Sequence, residues 1–146
     1  MANSFQALAQ VTFKGDTLRP QSITGATNGV AVDTAAVGTN FLSALLSVGA
    51  VNTLTSLDVK IQASPDGSTG WVDISGATFT QVTAANALQV IDFQLPTAAS
   101  ASTTAYRYVR AVAAITGTSA LAHCVVLGCN KYDGTNAFSN APPTIN

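Results

Sequence analysis

The sequence predicts a single all-β domain, an antiparallel β-sandwich or jelly-roll-like fold, with extended N- and C-terminal arms. Apolar and polar residues alternate in short runs, and turn-forming residues separate these runs at intervals of about 8 to 14 residues. Only 9% of the 146 residues are charged and glutamate is absent, so the residues that usually fill exposed helix positions are scarce. These observations predict seven or eight strands and no surface helix.

The N-terminal third of the chain contains three strand candidates. One strand is expected near Gln6–Phe13, followed by an irregular connection through KGDTLRP and TGATNG. The run VAVDTAAV at residues 30–37 is the next candidate. NFLSALLSVGAV at residues 40–51 is ambiguous, because its leucines also fit a helical stripe, but its valines and glycine favour a strand.

The clearest hairpin is VKIQASPDGSTGWVDI, and its first strand belongs to an alternating run at residues 55–64. In the turn, Pro65 presets φ, Asp66 can accept hydrogen bonds from the backbone that follows, and Gly67 accepts positive φ. Trp71 opens the return strand. The remaining strands are predicted at residues 76–83, 88–96, 106–117 and 120–132, the last two joined as a hairpin by TGTS.

These patterns divide the chain into three regions. Residues 1–29 hold an N-terminal arm and the first strand, residues 30–132 form the sandwich core, and residues 133–146 form an extended C-terminal arm. The C-terminal region combines turn residues and a Pro-Pro pair with one isolated aromatic. The core is long enough to bury a hydrophobic interior.

Charge and hydropathy exclude several classes of partner. A net charge of −1 without clustered Lys or Arg predicts no binding to nucleic acid. The longest apolar stretch, residues 41–51, is shorter than the roughly 20 residues that span a bilayer, and MANSFQALAQ lacks the features of a signal peptide. We therefore expect synthesis in a cytoplasm, no membrane, and a low-charge surface suited to contact with other protein.

The residues that most often carry catalysis or bind metals do not form a recognisable site. His123 is the only histidine and lies in the middle of a predicted strand, where a satisfied hydrogen bond is its expected role. Cys124 and Cys129 fall on opposite faces of that strand, too far apart for a disulfide, and are expected to be small buried hydrophobes. Asp66 is expected to cap its turn, and Asp58 and Asp73 to face solvent. The sequence predicts no enzyme, no cofactor and no metal.

The aromatic residues leave two interpretations open. Trp71 either closes one end of the core or takes part in recognition. Tyr106, Tyr108 and Arg110 share one face of a predicted strand, which suits either an interface rim or a hydrogen-bonded sheet surface.

Residues 30–132 resemble small structural proteins of tailed bacteriophages. The resemblance rests on SLDVKIQASPDGSTGWVDISGATFT, on YRYVRAVAAITGT, and on a last apolar strand ending in VVLGCNKY. It covers about two thirds of the chain. Gly70 stands as an insertion before Trp71, so the geometry of this turn is expected to differ from the commoner form.

The resemblance implies a virion component, a capsid decoration or cement protein on the outer surface of the capsid. Such a protein contacts the major capsid protein, braces capsomers and forms a symmetric homo-oligomer such as a trimer or dimer. We expect shell contact through Ala2–Phe13 and Asp133–Asn146. The candidate interface residues are Phe5, Phe13, Trp71, Tyr106, Tyr108, Arg110, Tyr132 and Phe138.

Two alternative functions remain. One is a carbohydrate- or receptor-binding module of a phage tail or fibre that uses Trp71 and the tyrosines, which glycan quenching of tryptophan fluorescence would reveal. The other is a tail-tube or head-completion protein, which differs in copy number and ring symmetry. Fold alone does not discriminate among these functions.

Overall fold

The computed structural model describes residues 11–34, 41–96 and 105–129, and this part of the chain is all-β and antiparallel, as predicted. No helix occurs among these residues. The chain forms a single sandwich-like domain. Its strands are β1 (Val11–Ile23), β2 (Thr27–Asn28), β3 (Val32–Asp33), β4 (Phe41–Ser64), β5 (Val72–Thr78), β6 (Ala87–Gln94) and β7 (Tyr108–Cys129).

Two long strands organise the sheet. The strand order is β1-β7-β4-β5, with β2 and β3 also paired to β7 and β6 also paired to β4. β4 and β7 lie side by side over almost their whole length, from the pair Leu42↔Gly128 to the pair Ser64↔Tyr108. All shorter strands therefore attach to one or the other of these two strands.

The sheet consists of two half-sheets that meet at a bend in β4 and β7. Half-sheet A comprises β1, residues 120–129 of β7, residues 41–48 of β4, and β6. Half-sheet B comprises β2, β3, residues 108–116 of β7, residues 56–64 of β4, and β5. The buried residues of both half-sheets form one hydrophobic cluster, so the two halves cover each other's apolar faces like the layers of a sandwich.

At the bend, both central strands change which residues face the core. A one-residue slip in a strand moves its side chains to the other face, so an uninterrupted β4 would turn one half of its apolar residues to solvent. Register shifts between Val48 and Val51 and between Leu54 and Ser56 prevent this. The buried positions are Leu42, Ala44, Leu46 and Val48, then Leu57, Val59, Ile61 and Ala63 in β4; and Val109, Ala111 and Ala113, then Ala120, Ala122, Cys124 and Val126 in β7.

Gly117 lies at the bend, where β7 pairs with Leu54 of β4. Its φ is +136°, and a Cβ at this position would overlap the carbonyl oxygen of Thr53 and lie 2.9 Å from Cα of Leu54. Thr53 itself has a positive φ of 46°. A side chain at position 117 would therefore conflict with the backbone of β4 as well as with its own conformation.

Thr17 joins the two half-sheets along one side. It lies in β1, and its carbonyl oxygen accepts a hydrogen bond of 2.7 Å from the N–H of Val30, which follows β2. Its buried hydroxyl donates to the carbonyl of Val30 at 3.0 Å and accepts from the N–H of Ala111 at 2.7 Å. The hydroxyl thus satisfies a backbone N–H that water does not reach.

Several sequence predictions about the elements were wrong. The separate strands predicted at residues 40–51 and 55–64 are one continuous strand, β4, and the strand predicted at residues 76–83 ends at Thr78, within β5. The predicted hairpin at TGTS is part of one continuous strand, β7, because its glycine serves a bend in the sheet rather than a chain reversal. The predicted irregular connection after Phe13 is largely β1, and Leu18 and Ile23 lie in the core. Pro20 is accommodated there because β1 is an edge strand with a register shift between Leu18 and Gln21.

Replacing Gly117 with alanine tests the bend. We expect Gly117→Ala to lower the free energy of unfolding by about 1 to 3 kcal/mol, the usual cost of a strained backbone position. Urea unfolding monitored by circular dichroism measures this change. Gly25→Ala is the matched control, because a Cβ at Gly25 meets no atom within 4 Å. Equal effects of the two substitutions would show that the bend does not require glycine.

The Thr17 junction gives a second prediction. Thr17→Val keeps the shape of the side chain but leaves the N–H of Ala111 without its partner, so the free energy of unfolding should fall by about 1 to 3 kcal/mol. Thr17→Ser retains the hydroxyl and should lose less. The same urea titration compares both variants with the wild type. A valine variant as stable as the serine variant would contradict the role given to the hydroxyl.

Candidate functional site

The outer face of half-sheet B is a polar surface held by side-chain hydrogen bonds. Asp73 accepts from Lys60 Nζ at 2.7 Å and from Gln62 Nε2 at 2.8 Å. Gln62 Oε1 in turn accepts from Arg110 Nε at 3.1 Å and Nη2 at 2.9 Å. The bond from Lys60, followed by that from Gln62, lowers the pKa of Asp73. These residues form a network across β5, β4 and β7.

Trp71 extends this network rather than entering the core. The guanidinium of Arg110 lies over its ring, 4.2 Å from the ring centroid, and Trp71 Nε1 donates to the carbonyl of Ser68 at 3.2 Å. The residue is half-buried and is not a member of the buried core cluster. One face of the indole is therefore covered by a cation, in a stacking contact worth about 0.5 to 1 kcal/mol at exposed sites.

The turn before Trp71 is built around two side chains. The Asp66 carboxylate accepts hydrogen bonds from the backbone N–H groups of Ser68 and Thr69 and from the hydroxyls of Thr69 and Ser64. The bonds from Thr69 are the largest reason that the pKa of Asp66 lies far below its usual range. Ser64 is buried and accepts from the N–H of Gly67 at 3.0 Å. The expected capping role of Asp66 is confirmed.

Both glycines of this turn have left-handed backbone conformations. Gly67 has φ +76° and a Cβ there would lie 3.0 Å from the ring of Tyr108, while the inserted Gly70 has φ +62°. The turn therefore packs against the first residue of β7. Residue 70 also adopts a conformation that other side chains rarely accept.

The predicted face of Tyr106, Tyr108 and Arg110 is divided. Tyr108 and Arg110 lie in β7, whereas Tyr106 precedes the strand and packs against the core.

Arg107, next to Tyr108, forms a bidentate ion pair with Asp33. The Nε–Oδ1 and Nη2–Oδ2 distances are 2.8 and 2.6 Å. The guanidinium of Arg107 lies 5.4 Å from the ring centroid of Tyr108. The bond to Asp33 raises the pKa of Arg107.

The remaining candidate interface residues lie at the edge of the described chain or beyond it. Phe13 is in β1 opposite Leu127. Phe5, Tyr132 and Phe138 lie outside the described residues. Among the described residues, the structure brings together Trp71, Tyr108 and Arg110 of the predicted set.

The outer face of half-sheet A differs from that of half-sheet B because its centre is apolar. Leu45 lies directly between Val90 of β6 and Val125 of β7, and directly opposed residues in a sheet share a face. A Cβ at Gly49 would lie 3.4 Å from Leu121, which places this leucine over the neighbouring strand. We call this surface the outer apolar face, formed by Leu45, Leu88, Val90, Leu121, Val125 and Leu127.

The outer apolar face was not predicted from the sequence, although a signal for it was present. In LQVIDFQLP, Ile91 and Phe93 occupy one face of the strand, and the opposite face begins with Leu88 and Val90. A strand of an ordinary sandwich carries polar residues on its outer face. Leu88 and Val90 on the face opposite Ile91 and Phe93 therefore depart from the pattern of an ordinary sandwich strand.

His123 and Cys124 show no reactive arrangement. His123 Nε2 lies 2.6 Å from Asp16 Oδ1 on the outer side of half-sheet A, which gives it the hydrogen bond predicted for it. Cys124 is a buried free thiol whose pKa is raised to about 12 by burial. No cluster of three or more metal-binding side chains occurs among the residues described. Nor does the described chain contain a helix that is long and apolar enough to cross a membrane.

The pKa of Asp66 leads to a test of the turn. Asp66→Ala removes four hydrogen bonds and should lower the Tm at neutral pH. Because the pKa of Asp66 is lower in the folded protein than in the unfolded chain, this stabilisation is present above the ordinary Asp pKa of about 3.9 and is lost as the pH falls towards the folded value. The Tm difference from the wild type should therefore shrink below about pH 4.

Thermal melts of both proteins across this range measure the effect. Asp58→Ala is the matched control, since Asp58 accepts one hydrogen bond, from Gln81 at 2.9 Å. A Tm difference for Asp66→Ala that does not change with pH would contradict the role assigned to its ionised carboxylate.

The chain matches no protein-family model, and no curated protein is significantly similar to it in sequence.

Proposed function

We propose that the chain is a structural virion protein that binds the outer surface of a phage capsid and stabilises the shell by bridging capsomers. The observation that carries this proposal is the pairing of Val11 with Cys129 on adjacent strands. The segments before β1 and after β7 therefore join the sheet side by side. Both are segments in which the sequence predicts shell contact, so both can reach one neighbouring surface.

The ends of four strands lie at one edge of half-sheet A. β4 begins at Phe41, which pairs with Gln94 at the end of β6, while Leu42 pairs with Gly128 near the end of β7. The starts of β1 and β4 and the ends of β6 and β7 therefore share the edge that is remote from the bend. We assign shell contact to this edge.

The described part of the chain suits the role of a brace. β4 and β7 run through both half-sheets, so the domain resists separation of its halves. The polar side chains on half-sheet B are paired with one another rather than arranged around a substrate. Repetition of one modest contact over an icosahedral lattice supplies avidity that a single copy lacks.

Co-sedimentation with virions and emptied capsids of the parent phage tests the function. Quantitative mass spectrometry of the pellet should give on the order of hundreds of copies per particle, because the symmetry of the shell repeats each site. A few dozen copies or fewer would assign the protein to the tail or portal region and overturn the proposal. Absence of binding would overturn it as well and direct attention to glycans and Trp71.

Removal of residues 133–146 tests the contribution of the C-terminal segment. The truncated protein should bind capsids at least roughly tenfold more weakly, because one of two linked contacts is lost, and its Tm should change little. A variant with the same fourteen residues in scrambled order controls for chain length. Failure of the truncated protein to fold would show that the segment belongs to the core and that its assignment as an arm is wrong.

A further inference from the structure

We propose that the outer apolar face of half-sheet A is a self-association surface on which a second copy of this chain packs, sheet against sheet. The inference extends the proposed function by naming the surface through which the symmetric oligomer forms. It concerns the purified protein alone, so it is tested without any shell.

Exposure of the face is the first reason. Leu88, Val90 and Leu121 are 68%, 59% and 45% exposed. Single exposed apolar side chains are ordinary on a soluble protein, but Leu88 and Val90 are neighbours on one face of β6, and Val90 lies in register with the half-buried Leu45 and the buried Val125. These side chains form an apolar strip across three strands. Leu121 lies nearer the bend, beyond the row of Leu88, Ser47 and His123. Burial of each large side chain contributes about 1.5 to 3 kcal/mol, so a partner that covers the strip gains considerably.

The charges of the face favour a second copy over a charged partner. A two-fold interface brings the same patch of both subunits together, so an uncompensated charge near the axis meets its own copy. Asp16 is bonded to His123 within the chain. Asp92, which accepts a hydrogen bond from Ser43, lies away from the centre of the face, towards the edge remote from the bend. The centre of the face, at Leu45, carries no charge.

The area of the face also reaches the minimum that a specific dimer interface buries. β6 pairs with β4 over eight residues, from Phe41↔Gln94 to Val48↔Ala87. Four strands about 4.8 Å apart and eight residues long at about 3.3 Å each cover roughly 500 Å². Two such faces in contact bury on the order of 1,000 Å², which is the lower bound for a specific interface.

Sedimentation equilibrium of the purified protein over a wide concentration range tests the inference. The wild type should form dimers or a higher closed oligomer. Leu88→Lys combined with Val90→Lys should raise the dissociation constant at least roughly tenfold, because two apolar side chains are lost from the interface. Val30→Lys is the matched control, since Val30 is 55% exposed and lies outside the face. It should associate like the wild type.

Leu121→Gln is a second variant, on a different strand, and it should weaken association in the same direction. Circular dichroism of each variant should match that of the wild type, because all three positions are exposed. A monomeric wild type would overturn the inference, and so would variants that associate normally. If the wild type were monomeric but became oligomeric on removal of residues 130–146, the occupant of the face would be that segment and not a second copy.

The experiments distinguish failure of the proposed function from failure of the self-association surface. A wild type that associates in solution but does not sediment with capsids would overturn the proposed function and leave the self-association surface intact. A Leu88→Lys, Val90→Lys protein that remains oligomeric yet no longer sediments with capsids would assign the face to the shell and overturn this inference.

Discussion

The fold depends on one constraint: β4 and β7 must bend in the middle while keeping their apolar side chains on the concave side of the sheet. Alternation along a strand does not allow this without interruption, because each extra residue exchanges the two faces. The structure meets the constraint with two register shifts in β4 and with Thr53 and Gly117 at positive φ. The single core and the two distinct outer faces are consequences of that bend.

Folding the sheet over leaves one inner surface and two outer surfaces with different chemistry. On half-sheet B, side chains from β3, β4, β5 and β7 form ion pairs and hydrogen bonds with one another, as in Lys60–Asp73 and Arg107–Asp33. On half-sheet A, the corresponding central position is Leu45, between two valines. The first surface is stable in water as it stands, whereas the second gains free energy when another protein covers it. The proposed self-association surface rests on this asymmetry.

The parts of the structure that depend on neighbouring residues were predictable from the sequence. The alternation of residues 55–64 correctly predicted a strand with Leu57, Val59 and Ile61 inside, and the turn chemistry of Asp66 was local as well. TGTS was misleading because glycine marks both a hairpin and a bend in a continuous strand.

The surfaces required information that a sequence does not show locally. The contact of Trp71 with Arg110 joins residues from β7 and from the turn before β5. Predicting the outer apolar face requires the register of β6, β4 and β7 to be known together.

The central position of β7 has a consequence for biosynthesis, because this strand is made after all the strands that pair with it. β1, β2, β3 and β4 are all made before β7, the strand with which they pair. During synthesis β4 can pair with β5 and β6, but β1 to β3 can join the sheet only once β7 is translated. Pairing between strands so distant along the chain is slow, and the edges that β1 to β4 present to β7 stay unpaired until it is complete.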